Sequence, residues 1–291
     1  MTITDETKLN ELKERARGVR LIATDLDGTL FDSGHELPDE NRSALEALVS
    51  RGIKLVAATG RSRSSIPDTI AKMPGMNYLI TANGAKVYVS GTDELILEKY
   101  ISLDAMEYVL PLFSDPEVMC EVFWGGVPHV EESRFNAARD YGVPRWFTDY
   151  FFRSRQPVKN YIPAVRAHIH EAENINFVFG NETVENRLRQ FLKKRTDLYE
   201  LTSSFPFNFE IGGVDVTKAA ALTLIAEREN LDPKEIIALG DQLNDVKMIK
   251  YAGIGIAPAN AVPEALAAAD LITVSNNENA VATAFKTLGL I

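Results

Sequence analysis

The stretch that decides the fold is Leu21-Ile22-Ala23-Thr24-Asp25-Leu26-Asp27-Gly28-Thr29-Leu30. An apolar run ends in two carboxylates one residue apart. Alternate residues of a strand share a side, so Asp25 and Asp27 stand on roughly the same side of its end. Two like charges at the end of a buried strand repel each other and resist desolvation. A hard divalent cation relieves both problems, and Mg²⁺ prefers oxygen ligands. Gly28 then permits a sharp turn out of the strand. The plain alternative is a strand that closes in an acidic turn. The apolar run before the pair and the Gly-Thr after it favour a functional site.

Outward from this stretch the pattern repeats. Residues 53–58 and 78–81 are further short apolar runs, and Asp39 to Arg51 carries Ala44, Leu45, Leu48 and Val49 at helical spacing. Strand, helix, strand at this spacing predicts parallel βαβ units. The rhythm returns from Val216 to Leu288. Between the two parts, residues 86–90, 95–101, 119–124, 127–131, 176–179, 198–201 and 208–211 read as strands, with helices near 133–140 and 182–194. Trp124-Gly125-Gly126-Val127 is a hairpin signal. The spacing therefore predicts an α/β core interrupted by an α+β insertion. The boundaries fall at 1–18 (a short charged helix or frayed lead-in), 19–82 (core), 83–211 (insertion) and 212–291 (core).

Three more places share the chemistry of the first strand end. Val56-Ala57-Ala58-Thr59-Gly60-Arg61 is a strand running into a hydroxyl and a glycine, where ligands bind in parallel sheets. The Thr59 hydroxyl and the N–H groups that follow suit an anion, although Thr-Gly also simply closes strands. Lys218 opens the second α/β part, and alone it reads as a solvated lysine. In Gly240-Asp241-Gln242-Leu243-Asn244-Asp245, Asp241 stands at a strand end and Asp245 one helical turn on. Capping of a helix by Asp241 or Asn244 is the plain alternative. A second acidic strand end beside Asp25 and Asp27 favours a shared metal.

Composition narrows the classes. The chain has 291 residues, 45% hydrophobic and 25% charged, the profile of a folded globular protein. Its net charge of −10 offers no basic footprint for nucleic acid. No apolar run approaches a membrane span. The single cysteine, Cys120, rules out an intramolecular disulfide and suggests a reducing, cytoplasmic setting. Cys120 itself reads as a buried small hydrophobe. Gly253-Ile254-Gly255 lacks the third glycine of a dinucleotide fingerprint, and His168 and His170 read as solvated.

Taken in order, D-L-D-G-T-L, A-T-G-R, a lysine and G-D-Q-L-N-D resemble the motif signature of the haloacid dehalogenase (HAD) superfamily. The long gap between the second motif and the lysine resembles its Cof-type phosphatase branch, class IIB, with a cap inserted there. Ala252 to Ala261 and Ala269 to Ala282 resemble that branch as well. The chain departs from the pattern at Pro258, where Met is common, and at Ala219 and Ala280, where Gly is common. The resemblance implies a Rossmann-like core with a mobile cap and a Mg²⁺-dependent phosphatase of small phosphorylated metabolites. It implies Asp25 as nucleophile and metal ligand, and Asp27 as acid/base whose backbone carbonyl also binds the metal. Thr59 and Gly60 are implied at the phosphoryl group, Lys218 as its charge neutraliser, and Asn244 at phosphoryl group or substrate. Asp241 is implied as a metal ligand, with Asp245 supporting the metal.

Two other readings stay open: a phosphomutase on the same scaffold, and a non-catalytic module that holds a ligand. Trp124, His129 and Arg134, beside the Gly-Gly turn, are candidates for substrate contact, and an edge strand with ordinary surface residues is an equally good reading. Arg61 suits either a substrate anion or a neighbouring acid. Hinges are expected near 81–84 and 212–213. The oligomeric state and the identity of the metabolite are left open by the sequence.

Overall fold

A computed structural model describes residues 6–92 and 94–291. Fourteen strands form two sheets among these residues. The strands are β1 (Leu21–Thr24), β2 (Lys54–Ala58), β3 (Met76–Thr81), β4 (Lys86–Val89), β5 (Glu94–Glu98), β6 (Val118–Trp124) and β7 (Val127–Glu131). They continue with β8 (Gln156–Val158), β9 (Asn174–Phe179), β10 (Glu200–Thr202), β11 (Asn208–Gly212), β12 (Ile236–Leu239), β13 (Ile254–Ala257) and β14 (Leu271–Ile272).

The first sheet runs β14-β13-β12-β1-β2-β3-β4-β5. Every pairing from β14 to β3 is parallel, and β3-β4-β5 is antiparallel. Strand β1 is central and buried along its whole length because helices cover both faces. Ile22 joins the apolar cluster that includes the helices Asp39–Ser50 and Ala280–Thr287. Its neighbours Leu21 and Ala23 join the opposite cluster with the helix Lys218–Arg228. Strict alternation thus feeds two cores from one four-residue strand. The architecture is α/β and Rossmann-like.

The second sheet runs β10-β11-β9-β6-β7-β8, antiparallel except for β7 with β8. Its own core contains Val122, Phe177, Ile211 and the helix Glu182–Leu192. Three helices here were not foreseen: Leu103–Val109, Arg145–Ser154 and Tyr161–Ala167.

Where the insertion begins differs from expectation. The hairpin β4-β5 was assigned to the insertion, yet it extends the first sheet, because β4 pairs antiparallel with β3. The expected hinge at 81–84 accordingly lies inside that sheet. The chain leaves it after Glu98, with Lys99 N–H donating back to Ala85 and Ile101 N–H donating forward to Ala172. It returns at Gly212 and Gly213. The two crossings touch: a Cβ on Gly213 would stand 2.8 Å from the Tyr100 carbonyl oxygen.

The N-terminal stretch forms the helix Glu6–Ala16, anchored by buried Leu12 and Ala16. Its first five residues lie outside the described ones. No described helix is long and apolar enough to cross a membrane.

Candidate active site

Strands β12, β1 and β2 are neighbours and parallel, so their carboxyl ends lie side by side. Asp25 follows β1, Thr59 follows β2, and Gly240-Asp241 follows β12. This is the rim at which open α/β sheets bind ligands. After β1 the backbone makes one wide turn over Leu26–Leu30, closed by Phe31 N–H to the Leu26 carbonyl at 2.8 Å. Gly28 sits in that turn at φ +81°, and a Cβ there would lie 2.5 Å from Asp241 Oδ2. Glycine is required twice over, by the backbone and by the carboxylate against it.

Lys218, the first residue of its helix, is fully buried. Its Nζ donates to Asp25 Oδ1 at 2.6 Å and to Asp245 Oδ1 at 2.7 Å. Asp245 Oδ2 accepts the N–H groups of Asp241 and Gln242 at 2.9 and 3.0 Å. Asp241 accepts from Thr29 Oγ1 at 2.8 Å and Gln242 Nε2 at 3.1 Å. Oxygens of Asp25, Asp241 and Asp245 lie within 4.8 Å of one another.

Three buried carboxylates share a single lysine here. Burial pushes the Asp25 carboxyl well above its ordinary range, and the charges of Asp245 and Asp241 push it further, against the pull of Lys218. Burial and then Asp245 push Asp241 up to about 7. Burial opposes the charge on Lys218, but Asp245 and Asp25 more than compensate and hold it protonated. An under-neutralised cluster of carboxylate oxygens is a donor set that fits a hard divalent cation such as Mg²⁺.

The Asp27 side chain is not part of this cluster. Both its oxygens meet the Arg61 guanidinium, at 2.6 Å from Nε and 2.6 Å from Nη2, and His35 Nδ1 lies 2.8 Å from Oδ1. Burial alone would raise the Asp27 carboxyl, but Arg61 and then His35 hold it well below the usual range. If Asp27 is a metal ligand, its backbone carbonyl must serve. Of the two options for Arg61, pairing with an acid is the one observed.

Thr59 Oγ1 accepts the Arg61 N–H at 3.0 Å, and Gly60 borders the cleft with it. Asn244 Nδ2 donates to Asn83 Oδ1 at 2.9 Å, and Asn244 also borders the cleft. All the residues singled out at the strand ends are thus brought to one rim.

The second sheet roofs this rim. Phe123, Phe147, Tyr150 and Phe205 form an aromatic wall, and Arg155, Asn176, Ser204 and Glu210 form a polar one. Tyr150 lies 4.4 Å beneath the Arg61 guanidinium and 5.1 Å from that of Arg155. It also stacks on His35 at 5.7 Å.

Trp124, His129 and Arg134 do not line the cleft. Phe123 pairs with Pro128 across the β6–β7 hairpin, and strand alternation turns that pair to the cleft. Trp124 instead stacks on His129 at 3.5 Å against the core of the second sheet. Arg134 pairs with Glu131 and donates to the Val118 and Phe113 carbonyls. Cys120 is buried, as expected. His35, Thr29, Glu210 and the aromatic wall were missed. The aromatic run Phe147 to Phe152 was the one available signal.

A model of the haloacid dehalogenase-like hydrolases matches residues 22–285. The chain belongs to the haloacid dehalogenase-like hydrolase family. The 5-amino-6-(5-phospho-D-ribitylamino)uracil phosphatase YcsE of Bacillus subtilis (strain 168) is 30% identical over 268 residues, covering 92% of this chain and 95% of YcsE. A solved HAD-like hydrolase from B. subtilis superposes with TM-score 0.80 at 25% identity, over 94% of this chain and 100% of that one. The HAD subclass IIB sugar phosphatase BT4131 superposes with TM-score 0.78 at 22% identity, over 94% and 100% of the two chains, a likeness of fold. This HAD hydrolase is a Cof-type phosphatase, as its four motifs anticipated.

Proposed function

We propose that this HAD phosphatase is a cytoplasmic, Mg²⁺-dependent enzyme that hydrolyses small phosphorylated metabolites through an aspartyl-phosphate on Asp25. The observation that carries this reading is buried Lys218 bridging Asp25 and Asp245 inside a carboxylate cluster.

Asp25 and Asp241, with the Asp27 carbonyl, would hold Mg²⁺, and Asp245 would support it. The bound ion supplies charge neutralisation at the phosphoryl oxygens. Lys218 fixes Asp25 Oδ1, and the other carboxylate oxygen attacks phosphorus. The P–O ester bond breaks, and the leaving alkoxide takes a proton from Asp27. Asp27 then removes a proton from water, which attacks the phosphorus of the aspartyl-phosphate. The acyl phosphate P–O bond breaks, inorganic phosphate leaves and Asp25 is regenerated. Thr59, Gly60, Lys218 and Asn244 orient the phosphoryl group throughout.

The Arg61 fork keeps Asp27 ionised, which is the form the water step requires. The earlier proton donation requires Asp27 to be protonated and therefore to give up an Arg61 contact. Asp27 thus works from two states of one ion pair.

YcsE is named for a phosphorylated ribityl chain carried on a uracil. That division into polyol and flat ring matches the polar and aromatic walls of this cleft, and makes such an ester the first to try. The general test is phosphate release from para-nitrophenyl phosphate with Mg²⁺, with EDTA, and with Asp25→Asn. Metal-dependent release that the variant loses is the expected result. Undiminished release by Asp25→Asn would overturn the mechanism.

A further inference from the structure

Directly after β3, Ala82 and Asn83 are both buried and both have positive φ, 47° and 57°. Left-handed backbone at a non-glycine residue is unfavourable, so the surroundings must hold this turn. Ala82 N–H donates to the Arg61 carbonyl at 2.9 Å and Asn83 N–H to the Thr59 carbonyl at 3.1 Å. The turn is therefore laid against Thr59-Gly60-Arg61.

The Asn83 side chain is tied at both ends. Its Nδ2 donates to Glu210 Oε2, and its Oδ1 accepts from Asn244 Nδ2 at 2.9 Å. The other Glu210 oxygen accepts from Ser204 Oγ and from Asn208 Nδ2. Glu210 is buried, and every one of these partners is neutral.

A carboxylate has acceptors only. Glu210 therefore dictates that Asn83 turns its NH₂ toward β11 and its carbonyl toward Asn244. Asn244 must in turn meet that carbonyl with its own NH₂. Its Oδ1 is left buried, and no described group donates to it. Three side chains from three distant segments thus pass a fixed donor–acceptor direction from the second sheet to the rim of the first.

We propose that Glu210 and Asn83 are positioning residues that fix which end of the Asn244 carboxamide meets the phosphoryl group. This rests on the reading above that Asn244 borders the phosphoryl end of the cleft. A pre-oriented amide loses little freedom when the ligand arrives, so the effect falls on KM more than on kcat. Because Glu210 comes from β11, Asn244 is correctly presented only while the second sheet is docked.

A double-mutant cycle tests the relay. Asn83→Asp faces the Glu210 carboxylate with another carboxylate. Glu210→Gln on its own sets its NH₂ against either Asn83 Nδ2 or Asn208 Nδ2, so it is expected to raise KM as well. Combined, the amide at 210 donates to the new carboxylate at 83, whose second oxygen still accepts from Asn244. Asn83→Asp is expected to raise both KM and the dissociation constant of orthophosphate by about tenfold. The double variant is expected to recover most of that loss. A double variant no better than Asn83→Asp overturns the proposal. Recovery of the urea midpoint without recovery of KM also overturns it, since the contact would then be structural only. Should Asn83→Asp not fold, Asn83→Ala is read instead, with KM raised and kcat within about threefold; unchanged KM overturns the proposal. Calorimetric binding of orthophosphate with Mg²⁺ separates this outcome from failure of the phosphatase reading, which would show as wild-type protein that releases phosphate from no ester.

Discussion

Lys218 Nζ and Asp25 Oδ1 lie 2.6 Å apart although 193 residues separate them in the chain. The contact is fully buried on the lysine side, and Lys218 is the one cation that touches the carboxylate cluster among the described residues. Removing one partner of a buried pair leaves the other uncompensated. Lys218→Met is expected to destabilise the metal-free protein by about 3–5 kcal/mol, and less when Mg²⁺ is saturating. Urea denaturation with and without Mg²⁺ measures both. Phosphate release by the variant should fall by about 10²–10³.

Gly28 and Gly52 form a controlled pair, at φ +81° and +80°. Nothing lies within 4 Å of a Cβ on Gly52, whereas one on Gly28 meets Asp241. Both alanine variants should lose about 1–2 kcal/mol through the backbone. Gly28→Ala alone should also weaken Mg²⁺ binding, which calorimetry reads directly. Equal Mg²⁺ affinity in the two variants would remove Asp241 from the metal site.

Arg61 grips Asp27 through a flat two-pronged contact and packs over Phe31 and Tyr150. A lysine there is a point charge on a flexible stem. Arg61→Lys should cost about 1.5–3 kcal/mol in stability while the net charge stays the same. If thermal unfolding of Arg61→Lys matches wild type, the fork geometry is not what holds Asp27.

Burial pushes the His129 imidazole down to about 4, with His168 adding to the effect. Its ordinary value is about 6.5. Between those values the unfolded chain binds the proton and the folded one does not. The stability from this group is therefore complete above pH about 6.5 and is lost as the pH falls toward 4. His129→Gln has no such proton to bind, so the wild-type advantage in urea midpoint should shrink from pH 7.5 to pH 5. Fluorescence of Trp124, stacked 3.5 Å from this ring, should follow the transition.

The strand ends were legible because their chemistry is written locally. Apolar runs that stop in Asp25, Thr59 and Asp241 announce both the strand and the rim. Lys218 was legible only by its place in the order of motifs, since nothing beside it in sequence foretells burial. The Arg61–Asp27 pair was left as one of two options, because it depends on how β1 and β2 align. The polar and aromatic walls were not legible. Asn176 and Glu210 sit opposite each other on paired strands whose register sets which face they share, and a shift of one residue exchanges the faces. That is how Trp124 and His129 were preferred to Phe123 and Pro128. The β4-β5 hairpin was misassigned for a related reason: an antiparallel pair looks the same in sequence whichever sheet it extends.

The position of β1 between β2 and β12 has a consequence during synthesis. Leu21 pairs with Lys54 on one side and with Ile236 on the other. While the nascent chain is still short of β12, one edge of β1 has no partner, and its apolar residues are only half covered. The second sheet, by contrast, is drawn from one continuous stretch and is complete by Gly212. Folding on the ribosome must then finish the middle of the chain before the ends, and an open strand edge of this kind is what chaperones shield.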